Sequence, residues 1–349
     1  MRVCLLTTQD LDADPFPSDD WPCDPRPFLP EADWQVETLS KKTSVEVVTR
    51  LVESGEFDLF FNLCDGAADQ DIPGIEVVET LERLGVPFTG ATSNYYEPTR
   101  EEMKKACRKE GIATPAAVLA RNEADVERAA DTLRFPLFVK HHNSYASVDL
   151  SRNSRVQSRV GLQQQAQKII SRHGAALIEE YIEGIECTVL VAENPDDPAN
   201  PKTYTPAQYR FPKGESFKHS DLKWVEYEGL SSFPVEDPVL SQRLRDECAA
   251  FFVELKAASF GRCDIRVDKT GTPYMLEINA NCGVYYPPKD YGSADICLAL
   301  DPAGHEGFTR QLVAAAFGRH RRLMEREQQA PVQDVQDRQV DQDVQVSES

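Results

Sequence analysis

Residues 261–279 read GRCDIRVDKTGTPYMLEIN, two apolar runs on either side of a short turn sequence that contains glycine. This pattern predicts a β-hairpin. With a two-residue loop at the Thr-Gly step, Asp264 faces Glu277 across the hairpin and Arg262 faces Asn279. Because alternate residues of a strand share a face, all four side chains project from the same side of the hairpin.

The polar face of this hairpin has the composition of a metal and phosphate site. Asp264, Glu277 and Asn279 supply the hard oxygen atoms that Mg²⁺ prefers, and Arg262 can offset the charge on a phosphoryl group in transfer. The alternative is a solvated face with a single ion pair. The apolar flanks favour burial, where two neighbouring carboxylates are costly unless a cation joins them.

Composition indicates a globular protein that binds neither nucleic acid nor membranes. The 349 residues are 41% hydrophobic, which suits two or three packed units. No apolar stretch approaches the roughly 18 residues that cross a bilayer, and the N-terminal MRVCLLTTQD turns acidic too early for a signal peptide. The net charge of −20 opposes nucleic-acid and anionic-membrane partners. The nine cysteines include no C-x-x-C pair, which favours reduced thiols and a cytoplasmic location.

Alternating strand-like and helix-like segments predict an α/β protein of three units. Residues 1–97 contain strands (RVCLL, FDLFFNLCDG, VPFTG) and a helix (GIEVVETLERLG), as in an α/β unit with a parallel sheet. Residues 98–182 form a smaller α+β unit that opens on a helix with a Thr99–Glu102 capping box. Residues 183–322 form the third unit, with a long polar excursion before the hairpin. The charged, low-complexity residues 323–349 predict a disordered tail.

Three further signals are weak when each is taken alone. Lys140 ends the strand FPLFVK, acidic residues surround the turn in LIEEYIEGIE, and Lys223 lies in the polar excursion. A strand-end lysine, surface acids and a solvated loop lysine are the ordinary explanations. Neither G-x-x-x-x-G-K-[ST] nor G-x-G-x-x-G occurs.

Read in chain order, these segments resemble the ATP-grasp superfamily and, within it, the D-alanine–D-alanine ligase branch. The resemblance covers roughly residues 57–320. GR-x-D followed by LE-x-N-x-x-x-G is its most specific part, and FNLCDG, LERLGVPFTG and EGIATP are similar to the first two units of that branch. It implies an N-terminal α/β unit, a small central α+β unit and a C-terminal α+β unit, with the nucleotide between the last two.

The resemblance also implies a role for individual residues. Lys140 matches the lysine on the α- and β-phosphates, Glu179 the acid near the adenine amino group, and Glu186 the acid on the ribose. The full set implied to bind ATP is Arg100, Lys104, Lys140, Glu179, Glu180, Tyr181, Ile182, Glu186 and Lys223. Arg100 stands where the family usually has a lysine, with Lys104 one helical turn further on.

For catalysis, the resemblance implies that Lys223 acts on the terminal phosphates and Arg262 beside an acyl phosphate. Asp264, Glu277 and Asn279 match the ligands of Mg²⁺, for which Mn²⁺ can substitute.

The chain departs from the family pattern on the substrate side. The glycine-containing phosphate loop is replaced by HNSYASVDLS, and the serine–glutamate segment that meets the first D-alanine has no match in LTTQDLDADPFP. After Cys282, the residues Gly283, Tyr285 and Tyr286 predict a different wall for the acceptor substrate.

The expected activity is that of an ATP-dependent carboxylate–amine ligase. ATP phosphorylates a carboxylate, and an amine attacks the acyl phosphate to form an amide. The expected partners are small, amino-acid-like carboxylates and amines, and a homodimer is compatible with the family. The alternative is a non-catalytic, regulatory ATP-binding module, which the glycine-free loop favours and the intact set of cations and acids opposes.

Overall fold

A computed structural model describes residues 1–11, 22–68, 70–143, 149–217 and 230–329. The strands are β1 (Arg2–Thr7), β2 (Asp33–Thr38), β3 (Leu59–Asn62), β4 (Ala117–Ala120), β5 (Leu137–His141), β6 (Arg155–Val156), β7 (Ala176–Glu180), β8 (Gly184–Ala192), β9 (Lys202–Thr203), β10 (Ala207–Arg210), β11 (Ser231–Pro234), β12 (Phe260–Asp268) and β13 (Pro273–Asn279). The helices are α1 (Ser44–Glu53), α2 (Ile75–Arg83), α3 (Arg100–Lys109), α4 (Glu123–Thr132), α5 (Arg159–His173), α6 (Pro238–Glu254), α7 (Ser293–Leu300) and α8 (Gly304–Gln329).

The first sheet is parallel, as the alternation of strands and helices predicts. Its three strands have the order β2-β1-β3. The segment VPFTG is not a strand: it meets β3 at an isolated bridge between Phe60 and Phe88. Strand β2 and helix α1 were not among the predicted elements, although Val48, Leu51 and Val52 of α1 have the i, i+3, i+4 spacing of an amphipathic helix. The carboxyl ends of β1 and β3 lie side by side, the edge at which parallel sheets usually bind ligands.

The second sheet has four antiparallel strands in the order β4-β7-β5-β6. Helices α4 and α5 pack on it around a small core of their own. Helix α3 begins with the predicted capping box: the Thr99 hydroxyl accepts from Glu102 N at 3.2 Å, and the Glu102 carboxylate accepts from Thr99 N at 2.8 Å. The apolar residues of α3, Met103 and Cys107 among them, belong to a different core, which the first and third sheets share.

The third sheet is antiparallel, with the order β11-β10-β8-β12-β13 and with β9 paired to β8. Helix α6 packs against β8, and so do helices α7 and α8. Strands β9, β10 and β11 all lie in the polar excursion that the sequence pattern treats as irregular. Their alternation is obscured because β9 and β10 are short and Pro206 stands between them. Lys223 lies outside the described residues.

The hairpin of β12 and β13 has the predicted register at its polar end. Arg262 pairs with Asn279, and Asp264 pairs with Glu277. The register then shifts by one residue at a β-bulge between Asp264 and Ile265. The four polar side chains therefore share a face, as predicted.

The turn of this hairpin differs from the predicted two-residue loop at Thr270 and Gly271. Asp268 N donates to Thr272 O at 3.0 Å, and Gly271 N donates to Asp268 O at 3.0 Å. The loop thus has three residues, and Gly271 has a φ of 83°, the left-handed conformation that such loops require at their last position. The longer loop and the bulge each shift the register by one residue, and the two shifts cancel.

The predicted disordered tail starts too early. Helix α8 continues to Gln329, so residues 323–329 are helical. The sequence LMEREQQ consists of strong helix formers, and its charge and low complexity do not prevent the helix from continuing. The rest of the predicted tail lies outside the described residues.

Glu193 connects α8 to the end of β8. Its buried carboxylate accepts from Arg319 at 2.6 Å, from Arg322 at 2.7 Å and from Ser259 N at 3.0 Å. Glu193→Ala is expected to cost about 3 kcal/mol of unfolding free energy, because two guanidinium groups lose a buried partner. Urea unfolding measures the change. Glu31→Ala, which breaks an exposed pair with Arg310 on the same helix, is the control and should shift the midpoint far less; equal shifts would contradict the prediction.

Candidate active site

The predicted metal ligands converge on the polar face of the hairpin. The Asn279 amide nitrogen lies 3.1 Å from Asp264 Oδ2 and 3.4 Å from Glu277 Oε1. Asn279 is buried and both carboxylates are half-buried. Two carboxylates and a carboxamide in contact form a compact set of hard donors, the type that divalent cations of the Mg²⁺ class prefer.

Arg262 holds one of these carboxylates in a two-point contact. Its Nε lies 3.1 Å from Asp264 Oδ1 and its Nη2 lies 2.7 Å from Asp264 Oδ2. Burial acts to lower the pKa of Arg262, but the adjacent carboxylate outweighs it and the pKa is raised above its usual value. The guanidinium therefore stays charged while it is nearly enclosed.

Arg100 holds the other carboxylate. It forms an ion pair with Glu277 across the contact between α3 and β13. Burial acts to raise the pKa of the Glu277 carboxyl, whereas Arg100 and Lys140 lower it, and the net pKa lies below the usual value. Two arginines from different elements thus neutralise the two carboxylates of the hairpin.

A second cluster is centred on Glu179 of β7. Lys104 Nζ lies 2.7 Å from Oε1 of this carboxylate, and Lys140 Nζ lies 2.6 Å from Oε2. Burial acts to raise the pKa of Glu179, but the two lysines outweigh it and hold that pKa at about 2. Lys104 also donates to Thr114 Oγ1 at 3.1 Å, which fixes its ammonium group.

Lys140 links the two clusters. Burial is the largest influence on this lysine and lowers its pKa, while Glu179 acts in the opposite direction. Arg100 and Glu277 also act on it. The strand-end lysine of the second sheet therefore faces the carboxylates of the third sheet, and a line of alternating cations and acids runs between the two sheets.

The turn after β7 is organised by Arg266, which was not among the predicted site residues. Its guanidinium donates to Ile182 O at 2.6 Å, to Gly184 O at 3.0 Å and to Glu186 Oε2 at 3.1 Å. It also lies 4.7 Å from the ring centroid of Tyr181. An arginine in the middle of a buried strand was the available signal. Ile182 and Glu186, both predicted to contact a nucleotide, are thus held by Arg266.

Glu180 faces away from these clusters. Its carboxylate accepts from the exposed Arg134, with Nη2 at 2.8 Å from Oε2, because successive residues of β7 point to opposite faces. Of the two adjacent acids, only Glu179 joins the line of ionic groups.

Two further side chains support Asp264. The Thr188 hydroxyl donates to Asp264 Oδ1 at 3.0 Å. Tyr209 of β10 is buried close enough to Arg262 and Asp264 for both to act on its pKa, which burial raises. A threonine and a tyrosine within β-strands are too common to have been singled out.

A pocket of about 610 Å³, including its open mouth, adjoins the hairpin at the carboxyl ends of β1 and β3. Its described lining residues are Thr7, Thr8, Gln9, Cys23, Asn62, Leu63, Cys64, Asp65, Gly90, Phe260, Asn281, Cys282, Gly283, Val284 and Tyr286. Gly283 and Tyr286, two of the three residues predicted to form a substrate wall, both line this pocket, and their contact with a substrate stays a prediction. A Cβ atom on Gly283 would lie 2.3 Å from the Tyr286 hydroxyl, so the ring requires glycine there.

Tyr285, also predicted to form this wall, points into the core instead. It is 3% exposed, and its hydroxyl lies 3.0 Å from Thr309 Oγ1. Its φ of 73° and the bond from its N–H to Asp295 at 2.7 Å turn the side chain away from the pocket. Backbone conformation, which the sequence did not reveal, separates the two adjacent tyrosines.

Two predicted parts of the site fall outside the described residues. These are Lys223 and the centre of the glycine-free loop, residues 144–148. Within the described ranges, no group of three or more His, Cys, Asp or Glu side chains is arranged to hold a metal. The hairpin set is compatible with that result because one of its three donors is the Asn279 amide.

Comparison with known sequences shows which protein family this chain resembles. The profile described as D-ala D-ala ligase C-terminus matches residues 109–285, slightly more than half of the chain. The chain belongs to the D-ala D-ala ligase family. The resemblance drawn from the hairpin and the lysines is thereby confirmed.

Individual members of the D-ala D-ala ligase family are distant from this chain. The uncharacterized protein y4sG of Sinorhizobium fredii is 29% identical over 235 residues, which are 65% of this chain and 66% of that protein. A D-alanine–D-alanine ligase of Pseudomonas putida is 26% identical over 254 residues, 71% of this chain and 74% of that ligase.

Solved structures of the family confirm the predicted ATP-grasp fold. The D-alanine–D-alanine ligase of Bacillus anthracis complexed with ATP has a TM-score of 0.62 at 18% identity, over 92% of this chain and 99% of that one. The VanG D-Ala:D-Ser ligase of Enterococcus faecalis has a TM-score of 0.65 at 14% identity, over 90% of this chain and 99% of that one. Among the described residues, no helix is long and apolar enough to cross a membrane.

Proposed function

We propose that this protein is an ATP-dependent carboxylate–amine ligase that acts through an acyl phosphate. The observation that carries the proposal is the line of buried and half-buried, alternating cations and acids between the second and third sheets, from Lys104 and Glu179 to Asp264 and Arg262. Such a line is expensive to bury in a purely structural role, because each ion loses water. A ligand that carries several charges provides the reason to retain it.

The basic residues would serve the phosphates. Lys140 and Arg100 both act on Glu277 and would offset charge on the α- and β-phosphates. Arg262 can donate two parallel hydrogen bonds and would stabilise the charge that develops as the substrate carboxylate attacks the terminal phosphorus. These side chains would therefore position the reacting groups and neutralise the charge of the phosphates. The chemistry requires no side-chain nucleophile.

The acidic residues fit a divalent cation of the Mg²⁺ type. Asp264, Glu277 and Asn279 would hold it through oxygen atoms. When bound there, Mg²⁺ supplies charge neutralisation on the phosphate oxygens. Arg100 and Arg262 now neutralise the two carboxylates, and phosphate oxygens would compete for both guanidinium groups, which leaves the carboxylates free as oxygen donors.

The amine would approach from the pocket beside the hairpin. Cys282 and Gly283 line that pocket and directly follow the strand that carries Glu277 and Asn279. An amine held there would lie beside the end of the line of ions, where the acyl phosphate would form. The product is an amide, with ADP and phosphate released.

A substrate screen tests the proposal. Purified protein is incubated with ATP, Mg²⁺ and pools of amino acids, and ADP release is followed together with the mass of any product. Stoichiometric ADP and a dehydrated adduct of two amino acids are expected. Nucleotide binding without ADP release from any pool would instead favour the regulatory ATP-binding module.

D-Alanine with D-alanine is expected to be a poor pair of substrates. The serine–glutamate segment is missing, and the large Tyr286 ring occupies space beside Gly283 that small residues would leave open. Measured kcat should lie below the ordinary enzyme range of about 1–10³ per second. Rapid formation of D-alanyl-D-alanine would refute this prediction while supporting the ligase activity itself.

A further inference from the structure

Arg266 lies on the same face of β12 as the residues of the reacting centre. Arg262, Asp264 and Arg266 alternate along the strand with residues of its other face, and Glu186 of β8 pairs with Arg266. At about 3.3 Å per residue, Arg266 lies about 13 Å along β12 from Arg262. This polar face therefore extends from the hairpin carboxylates at one end to the turn after β7 at the other.

The protein itself uses all three nitrogen atoms of the Arg266 guanidinium. Nε donates to Ile182 O at 2.6 Å, and Nη2 donates to Gly184 O at 3.0 Å. Nη1 donates to Glu186 Oε2 at 3.1 Å and to Ser216 O at 2.9 Å. The residue is only 4% exposed. These bonds indicate that Arg266 holds other groups in place rather than contacting a ligand.

The four acceptors come from different parts of the chain. Two are carbonyls at the turn between β7 and β8, one is the Glu186 carboxylate near the start of β8, and one is the Ser216 carbonyl of the polar excursion. Tyr181 joins the same group of contacts: its hydroxyl donates to Ser216 O at 2.8 Å, and its ring centroid lies 4.7 Å from the guanidinium. Arg266 therefore fixes the connection between the second and third sheets.

The groups held by Arg266 coincide with residues predicted to bind the nucleoside. Ile182 and Glu186 both belong to the predicted ATP-binding set, Glu186 as the acid on the ribose. An apolar side chain would fill the same space at a smaller cost in lost hydration. A guanidinium additionally fixes the direction of a carboxylate and of main-chain carbonyls, and a ligand rich in hydroxyl and ring N–H groups gives that orientation a use.

We propose that Arg266 is a positioning residue for the nucleoside half of ATP. It holds the main chain of the turn where the base would lie and the Glu186 carboxylate where the ribose would lie. The inference rests on the proposed ATP-dependent function. The phosphates are assigned to Lys140, Arg100 and Arg262, whose ion pairs lie around Glu179 and the hairpin carboxylates. Loss of Arg266 should therefore weaken the base and ribose contacts and spare the phosphate contacts.

Titration calorimetry of ADP, GDP and inorganic tripolyphosphate, each with Mg²⁺, tests this role in the wild type and in Arg266→Met. Methionine is long and unbranched but has no N–H donor. The Kd of ADP should rise about 10–100-fold, as expected for the loss of hydrogen bonds to a charged group, and that of tripolyphosphate about twofold or less. The preference for ADP over GDP should also fall, because a main chain that is no longer held discriminates less between bases.

Arg266→Lys is the second variant and keeps a positive charge beside Glu186 without the planar fork. It should give an intermediate Kd for ADP, and it provides the test if Arg266→Met does not fold. Arg128→Met, which breaks an exposed pair with Asp125 on α4, is the matched control and should leave all three Kd values unchanged. An unchanged Kd for ADP in the Arg266 variants, or an equal rise for ADP and tripolyphosphate, would overturn the proposal.

Nucleotide binding also separates this inference from the ligase function. If no amino-acid pool supports ADP release, but Arg266→Met still weakens ADP and spares tripolyphosphate, the ligase function fails and the role of Arg266 stands. If the wild type releases ADP but the variants bind ADP as tightly as the wild type does, the opposite conclusion holds. With an active pool, Arg266→Met should raise KM for ATP by much more than it lowers kcat.

Discussion

Replacing Glu277 with glutamine is expected to lower kcat for ADP release about 10²-fold or more at saturating Mg²⁺, the loss of one strong electrostatic contact. Glutamine has the same shape and can still accept a hydrogen bond from Arg100, so the fold should be retained. The charge that a divalent cation needs is removed, while Lys104, Lys140 and Glu179 remain in place. ATP binding should weaken much less than turnover.

The matched control for this variant is Glu254→Gln at the end of α6. Glu254 pairs with the exposed Lys109 at 2.5 Å, away from the hairpin, and its loss should leave turnover unchanged. Steady-state ADP release, titrated against Mg²⁺, is the measurement. If Glu277→Gln kept wild-type turnover, or if excess Mg²⁺ restored it fully, the carboxylate would have no direct role with the metal.

Arg262→Lys is expected to lower kcat about 10²–10³-fold, as the loss of a preorganised donor to a developing charge does. Lysine preserves the charge but not the planar fork that contacts Asp264 through Nε and Nη2. KM for ATP should change little, because Lys104 and Lys140 are untouched. Because the charge is retained, the fall in kcat measures the contribution of the guanidinium geometry alone.

Arg243→Lys on α6 is the corresponding control, since this arginine forms an exposed pair with Glu247 one turn away. Rapid-quench measurement of the first turnover would show whether the loss lies in chemistry or in product release. If kcat of Arg262→Lys stayed within about tenfold of the wild-type value, the loss would be far smaller than that expected for a preorganised donor. Arg262 would then be only a structural partner of Asp264.

The hairpin was predictable because its information is local. Alternation and a glycine turn sufficed to place the two strands, and Arg262 lies opposite Asn279 as predicted because the three-residue loop and the bulge shift the register by equal amounts in opposite directions. The bulge was not predictable from alternation alone. Met275 and Ile278 are both buried although they stand three apart, and an extra residue between them is required for both to face the core.

The rest of the site depends on contacts between segments far apart in the chain. Arg266 meets Ile182 across 84 positions, and Asp295 turns the Tyr285 backbone. Asp65 reaches the hairpin pocket only because the first sheet packs beside the third. A sequence pattern reports which residues share an element, but not which elements meet, and these assignments required the fold.

Helix α3 has a mechanical consequence for the molecule. Its apolar face belongs to the core of the first and third sheets, and Met275 N of the hairpin donates to Ala113 O just beyond it at 2.8 Å. Its polar face, through Lys104, contacts Glu179 of the second sheet. If the second sheet swings as a body, Lys140 and Glu179 travel with it, while Arg100 and Lys104 stay behind. The Lys104–Glu179 pair is then one of the bonds between the moving and fixed parts, and such a swing would strain it.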